Sequence, residues 1–92
     1  MLNIEQKKIT LNNNAVELTA KEYMIMELLI NNKEKVFTKS NLYETIWGED
    51  FLGDDNAIKS HISNIRAKLK SINSTEEYIE TVWGLGYRLF AE

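Results

Sequence analysis

The sequence predicts an α+β fold: an antiparallel sheet at the amino end, three helices, and a β-hairpin at the carboxy end. Three observations carry that prediction. Thr19-Ala20-Lys21-Glu22 has the S/T-x-x-E form that opens a helix. Ile58, Ile62, Ile65, Leu69 and Ile72 recur at spacings of 4, 3, 4 and 3, which lines up one apolar stripe on a helix turning about 100° per residue. Tyr78-Ile79-Glu80-Thr81-Val82 and Tyr87-Arg88-Leu89-Phe90 alternate around Trp83-Gly84-Leu85-Gly86, the pattern of a hairpin with a glycine-loosened tip.

The elements follow in order. Lys8-Ile9-Thr10-Leu11 and Ala15-Val16-Glu17-Leu18 flank Asn12-Asn13-Asn14, a polar turn tolerant of positive φ, so the first eighteen residues form a small antiparallel sheet that serves as a platform. The first helix begins near Ala20, where the Thr19 hydroxyl and the Glu22 carboxylate satisfy exposed backbone N–H groups. Tyr23, Ile25, Met26, Leu28, Leu29 and Ile30 give it a broad apolar face, and Asn31-Asn32 ends it. Val36-Phe37 is a short apolar bridge. Thr38 then caps a second helix through Leu42, Tyr43 and Ile46 to Trp47, which Gly48 stops. Glu49 to Asp55 form a surface loop whose last acids favour the dipole of the third helix. In this order, the second and third helices make a helix-turn-helix and the hairpin a wing.

Composition narrows the function. A chain of 92 residues buries only about two-thirds of its surface, enough for one core, so residues 1–92 are read as a single domain. With no cysteine there is no disulfide framework and no thiolate zinc site. His61 is the sole histidine, so neither a paired-histidine metal set nor a Ser-His-Asp nucleophile has support; it is expected to pack against a neighbouring helix. Gly84-x-Gly86 serves a turn, and no phosphate-cradling glycine motif occurs. No metal, cofactor or catalytic role is expected. The longest apolar run, Ile25 to Ile30, is interrupted by Glu27 and falls far short of the ~20 residues of a membrane span. A cytoplasmic protein with no membrane partner is expected.

The net charge of −3 opposes nucleic-acid binding until its distribution is considered. Residues 1–55 carry six lysines against ten acids, and residues 73–92 one arginine against four acids. Between them, residues 56–72 hold Lys59, Arg66, Lys68 and Lys70 with no acid. Opposite the apolar stripe lie Asn56, Lys59, Ser60, Ser63, Asn64, Ala67 and Lys70, small or polar groups that can enter a DNA groove. A basic amphipathic helix is also compatible with a plain solvated surface. An acidic body behind a basic face implies modest affinity from one copy.

Four segments, in order and spacing, resemble the effector domain of OmpR/PhoB-type response regulators, winged helix-turn-helix transcription factors of bacterial two-component systems. They are Leu18-Thr19-Ala20-Lys21-Glu22-Tyr23, Ile46-Trp47-Gly48, the run from His61 to Leu69, and the run from Tyr78 to Arg88. The resemblance covers nearly the whole chain. It implies a third helix in the major groove, a wing near the minor groove, and two copies on direct repeats of promoter DNA. It also implies that Glu49, Asp50, Phe51, Leu52, Gly53, Asp54 and Asp55 form a transactivation loop able to face RNA polymerase. Full-length members carry a preceding receiver domain, which this chain does not contain, so it resembles an excised effector module or a stand-alone relative.

On that footing Lys59, Ser60, Ser63 and Asn64 are the base-edge candidates, with the Asn64 amide suited to adenine N6 and N7. Asn56 at the helix start is placed to meet a phosphate. Trp47, Arg66, Lys68, Lys70, Thr81 and Arg88 complete the phosphate-binding candidates. For some of them a structural role stands alongside: Trp47 as core, Lys68 turned toward the first helix or an acid, Arg88 holding the hairpin. The wing tip is Trp83, Gly84, Leu85 and Gly86. Many members place an arginine at the wing position occupied here by Trp83. Two roles are open to its indole: lying on the sugar-phosphate backbone, or covering the core near the wing. The competing function is a winged-helix protein-protein interaction module without specific DNA binding.

Overall fold

In the computed structural model, which describes residues 2–53 and 55–90, the chain runs β1 (Leu2–Glu5), β2 (Lys8–Leu11), β3 (Asn14–Ala15), α1 (Ala20–Ile30), α2 (Lys39–Trp47), α3 (Asn56–Ile72), β4 (Ile79–Val82) and β5 (Gly86–Leu89). This is the element order that the sequence predicts. β1 pairs with β2 in the register Leu2↔Leu11 and Ile4↔Ile9, and β2 with β3 through Thr10↔Ala15. Asn12 and Asn13 take the positive φ expected of them, 51° and 68°. The turn between β1 and β2 does the same at Gln6 and Lys7, φ 51° and 64°, without the Gly or Asn that marks such turns in a sequence. The third strand is shorter than the segment Ala15 to Leu18 implies. After Ala15 the Val16 N–H still reaches the sheet, donating to Ile9 O at 2.9 Å, before the chain leaves it to start α1.

Both reciprocal bonds of the capping box are present: Glu22 N donates to Thr19 Oγ1 at 3.3 Å and Thr19 N to Glu22 Oε1 at 3.0 Å. Glu22 is nevertheless buried, 2% exposed. Burial by itself would raise its pKa. Hydrogen bonds from Lys68 Nζ, 2.6 Å from the same Oε1, and from Thr19 outweigh that and hold the carboxyl below its ordinary value. Ile25, Met26 and Leu29 of α1 are buried beside it.

Thr38 caps α2 by accepting from Asn41 N at 3.0 Å, and Gly48 ends it in the left-handed region. Along α3 the predicted stripe is the buried one: Ile58, Ile62, Ile65 and Leu69 lie in the core and Ile72 packs partly against it. Each such side chain contributes on the order of 2 kcal/mol on burial, so the stripe fixes how α3 is rotated.

β4 and β5 pair in the register Ile79↔Leu89 to Val82↔Gly86. The apolar bridge residue Phe37 extends this hairpin, exchanging two backbone bonds with Tyr87, 2.8 and 2.9 Å. The hairpin is thus tied to the entry of α2. Gly86 permits the approach, since a Cβ there would run into the Phe37 carbonyl.

Gly86→Ala is expected to cost about 2 kcal/mol by forcing Phe37 off the hairpin, measured by urea unfolding; a wild-type midpoint would refute the tight approach. Because the folded-state Glu22 carboxyl titrates below its unfolded value, its stabilisation is complete above the ordinary glutamate range and is lost as pH falls through the folded value. Stability measured against pH should therefore decline on the acid side, and Glu22→Gln should flatten that decline. An unchanged acid limb in the variant would remove Glu22 from this role.

Candidate nucleic-acid interface

The stripe that buries one side of α3 leaves the other side outward. Asn56, Lys59, Ser60, Ser63, Asn64, Ala67 and Lys70 are all exposed, and no described segment covers them. The four predicted base-edge candidates thus share one open face, with Ala57 half-buried at its start.

The cations of α3 divide between two tasks. Lys68 turns to α1 and the buried Glu22, because that carboxylate would otherwise lack a counter-charge; this takes it off the outward face expected of a phosphate contact. Arg66 reaches the hairpin, Nη2 donating to Ile79 O at 2.8 Å and Thr81 Oγ1 at 2.9 Å, with its guanidinium 5.9 Å from the Tyr87 ring centroid. It is a bracket between α3 and β4, and Thr81 is held by it. Arg88 pairs within the hairpin with Glu80, 2.6 Å across the β4–β5 pair, the hairpin-holding role named for it. Lys70 remains outward with Glu77 3.4 Å away, and Lys59 outward with Asp55 at 3.5 Å.

Between the start of α2, α3 and the hairpin lies an open groove of about 870 Å³, lined among others by Lys39, Lys59, Ser63, Arg66, Thr81 and Trp83. Lys39 is the residue that sequence reasoning missed. It stands twenty positions before Lys59 and joins the same wall only when α2 and α3 pack. The only signal for it was indirect: helix-turn-helix topology brings the first turn of α2 beside the first turn of α3.

The wing tip settles one alternative. Trp83 is 90% exposed and Leu85 60%, so Trp83 does not cover the core. Tyr87 and Leu89 already fill that end, and the turn at Gly84, φ 80°, carries Trp83 beyond it. Trp47 by contrast is packed: its ring stacks on Tyr43, 4.9 Å between centroids and 7° from parallel, and tilts against His61 at 5.4 Å, with Lys21 Nζ 5.3 Å from its centre. His61 thus packs on a neighbouring helix as expected, its Nδ1 enclosed without a partner among the described residues.

In the loop after α2, Phe51 sets its edge on Tyr43 and donates its N–H to Glu44 Oε2 at 3.1 Å. Glu49, Asp50, Leu52 and Gly53 are exposed. Asp54 lies outside the described residues. Among the described residues no group of three potential ligands could hold a metal ion, and no helix is long and apolar enough to cross a membrane.

Arg66→Ala should loosen the hairpin and cost about 1 to 3 kcal/mol, by leaving the Ile79 carbonyl without this bond. Hydrogen exchange of the β4 amides measures it, and protection equal to wild type would show that the bracket is dispensable.

Residues 13–89 match the family "Transcriptional regulatory protein, C terminal". The response regulator SaeR of Staphylococcus aureus is 39% identical over 82 residues, covering 89% of this chain and 36% of SaeR. This chain therefore spans little more than a third of that relative's length. The DNA-binding domain of Bacillus subtilis CssR is similar with a TM-score of 0.80 at 25% identity, over 98% of this chain and 100% of that one. The DNA-binding domain of the response regulator AdeR, solved in complex with an intercistronic region, is similar with a TM-score of 0.82 at 27% identity, over 96% and 92% of the two chains. With its strands, three helices and hairpin in this order, the chain belongs to the OmpR/PhoB-type winged helix-turn-helix family of carboxy-terminal domains of transcriptional regulatory proteins.

Proposed function

We propose that this domain binds double-stranded DNA sequence-specifically, as the effector domain of a bacterial two-component response regulator that controls transcription. The observation that carries the reading is the open, acid-free face of α3. A polar helix face flanked by lysines and seated on a rigid core is what a major groove accepts. The similar AdeR DNA-binding domain, solved in complex with an intercistronic region, supports DNA binding by this fold.

In this reading Ser60, Ser63 and Asn64 meet base edges and Lys59 a guanine or a phosphate. The α3 start at Asn56 and the outward Lys70 take phosphates. Trp47 contributes through its indole N–H while its ring stays packed. Arg66 acts through the hairpin, holding Thr81 and the wing at a set distance from α3. The exposed tip, Trp83 to Leu85, carries no charge and lies on the sugar-phosphate edge rather than inserting a cation, while Gly86 stays buried against Phe37.

The modest affinity implied by an acidic body calls for a second copy of the domain on direct repeats. The fuller protein carries a receiver domain before this one, works in the cytoplasm, and offers Glu49 to Asp55 to RNA polymerase. The second reading, a protein-protein interaction module, draws on the exposed Trp83 and Leu85.

A salt titration separates the two. A DNA-binding domain loses affinity with a log-log slope of about −0.9 per phosphate contact, whereas an interaction module shows no binding to promoter DNA. Within that assay, Asn64→Ala should relax discrimination at one position of a selected site by about 1 to 3 kcal/mol and leave random-sequence binding nearly unchanged. Equal losses on both duplexes would take Asn64 out of base reading.

A further inference from the structure

Asp55 occupies the N-cap position of α3 but does not cap it. Thr19 and Thr38, the caps of α1 and α2, take extended backbone, φ −70° and −69°, and accept a backbone N–H. Asp55 instead sits at φ −90°, ψ 4° and makes no side-chain cap bond. Its carboxylate is committed elsewhere. A single oxygen, Oδ2, lies 2.9 Å from Lys39 Nζ on α2 and 3.5 Å from Lys59 Nζ on α3. Both lysines line the groove that faces Ser63, Thr81 and Trp83.

Two ammonium groups from different helices converging on one anionic oxygen is the arrangement that a phosphodiester oxygen would require of this wall. The contact is partly open to water, with the side chains 37%, 30% and 55% exposed for Lys39, Asp55 and Lys59. Exposed ion pairs of this kind add little to stability, so giving one up to another anion costs the fold little. The hydrogen bond from Lys39 lowers the Asp55 carboxyl below its ordinary value and raises the Lys39 ammonium above its own, so both partners of this bond are charged at neutral pH.

We propose that Asp55 is an internal stand-in for a DNA phosphate: it holds Lys39 and Lys59 together in the free domain and yields them to a backbone phosphate on binding. This rests on the DNA-binding reading and adds to it a phosphate clamp built from α2 and α3 together with its built-in competitor. Every duplex must displace the same carboxylate, so the device lowers affinity without regard to sequence. Discrimination then falls to the bases read by α3.

The test is fluorescence anisotropy of a labelled random-sequence DNA duplex across a salt series. Asp55→Asn should tighten binding roughly tenfold at low salt, because the same phosphate is contacted without a carboxylate to displace, and should keep a log-log slope close to that of the wild type. Asp55→Ser, which removes the carboxylate while supplying a capping oxygen, should do the same and covers the case in which the amide variant folds poorly. Adding Lys39→Met to either should abolish the gain. Asp50→Asn, an acid of the same loop outside the clamp, should gain far less affinity than either Asp55 variant. Weaker or unaltered binding in both Asp55 variants, or an equal gain from Asp50→Asn, overturns the clamp while leaving DNA binding by the wild type intact. If neither the wild type nor any variant binds duplex DNA, the functional reading fails and the clamp with it. A gain that survives loss of Lys39 also overturns it.

Discussion

The buried carboxylate of Glu22 is the constraint on which the arrangement of the helices depends. It closes the first turn of α1 through Thr19 and in the same stroke receives Lys68 from α3, 2.6 Å away. A charge at 2% exposure has no water to fall back on, and removing its partner is strongly destabilising. Rotating α3 about its axis would therefore leave Glu22 unpaired and also lift Ile58, Ile62, Ile65 and Leu69 from the core. Apolar burial and one ionic bond select the same rotation, and that rotation points Ser60, Ser63 and Asn64 outward.

The basic helix is less basic on its open side than its composition suggests. Of its four cations, Lys68 and Arg66 serve the protein itself, and Lys59 and Lys70 face solvent with Asp55 and Glu77 nearby. Almost every positive group of the interface is thus matched to an internal acceptor. In a domain of net charge −3 this moderates the non-specific attraction that DNA exerts on exposed lysines. In the proposed DNA-binding reading, this leaves a larger share of binding to hydrogen bonds with base edges.

The wing is positioned by backbone and guanidinium rather than by its own tip. Phe37 adds a short third rung beside β5, and Arg66 ties β4 to α3. These two attachments reach the hairpin from different elements, so it cannot swing without breaking one of them. The tip is then free to carry an uncharged, exposed indole at Trp83, where a side chain has no packing task.

Local chemistry made much of this legible in the sequence. The capping box, the Thr38 cap, the Gly48 stop, the full length of α3 and its buried stripe are properties of neighbouring residues and of helical period, which a chain carries whatever its tertiary context. The exposed candidates on α3 were legible for the same reason, being the complement of the stripe. What tertiary structure decided are the relations between distant residues: Lys68 with Glu22, Lys39 with Asp55, Arg66 with Ile79, Phe37 with Tyr87. A long flexible side chain can turn to either side of its helix, and only the acid or carbonyl brought within reach by packing determines which. The sequence therefore determined which face of α3 is apolar and which is polar, while the packed fold decided which of its charges remain at the surface, because charge partners are chosen across space and not along the chain.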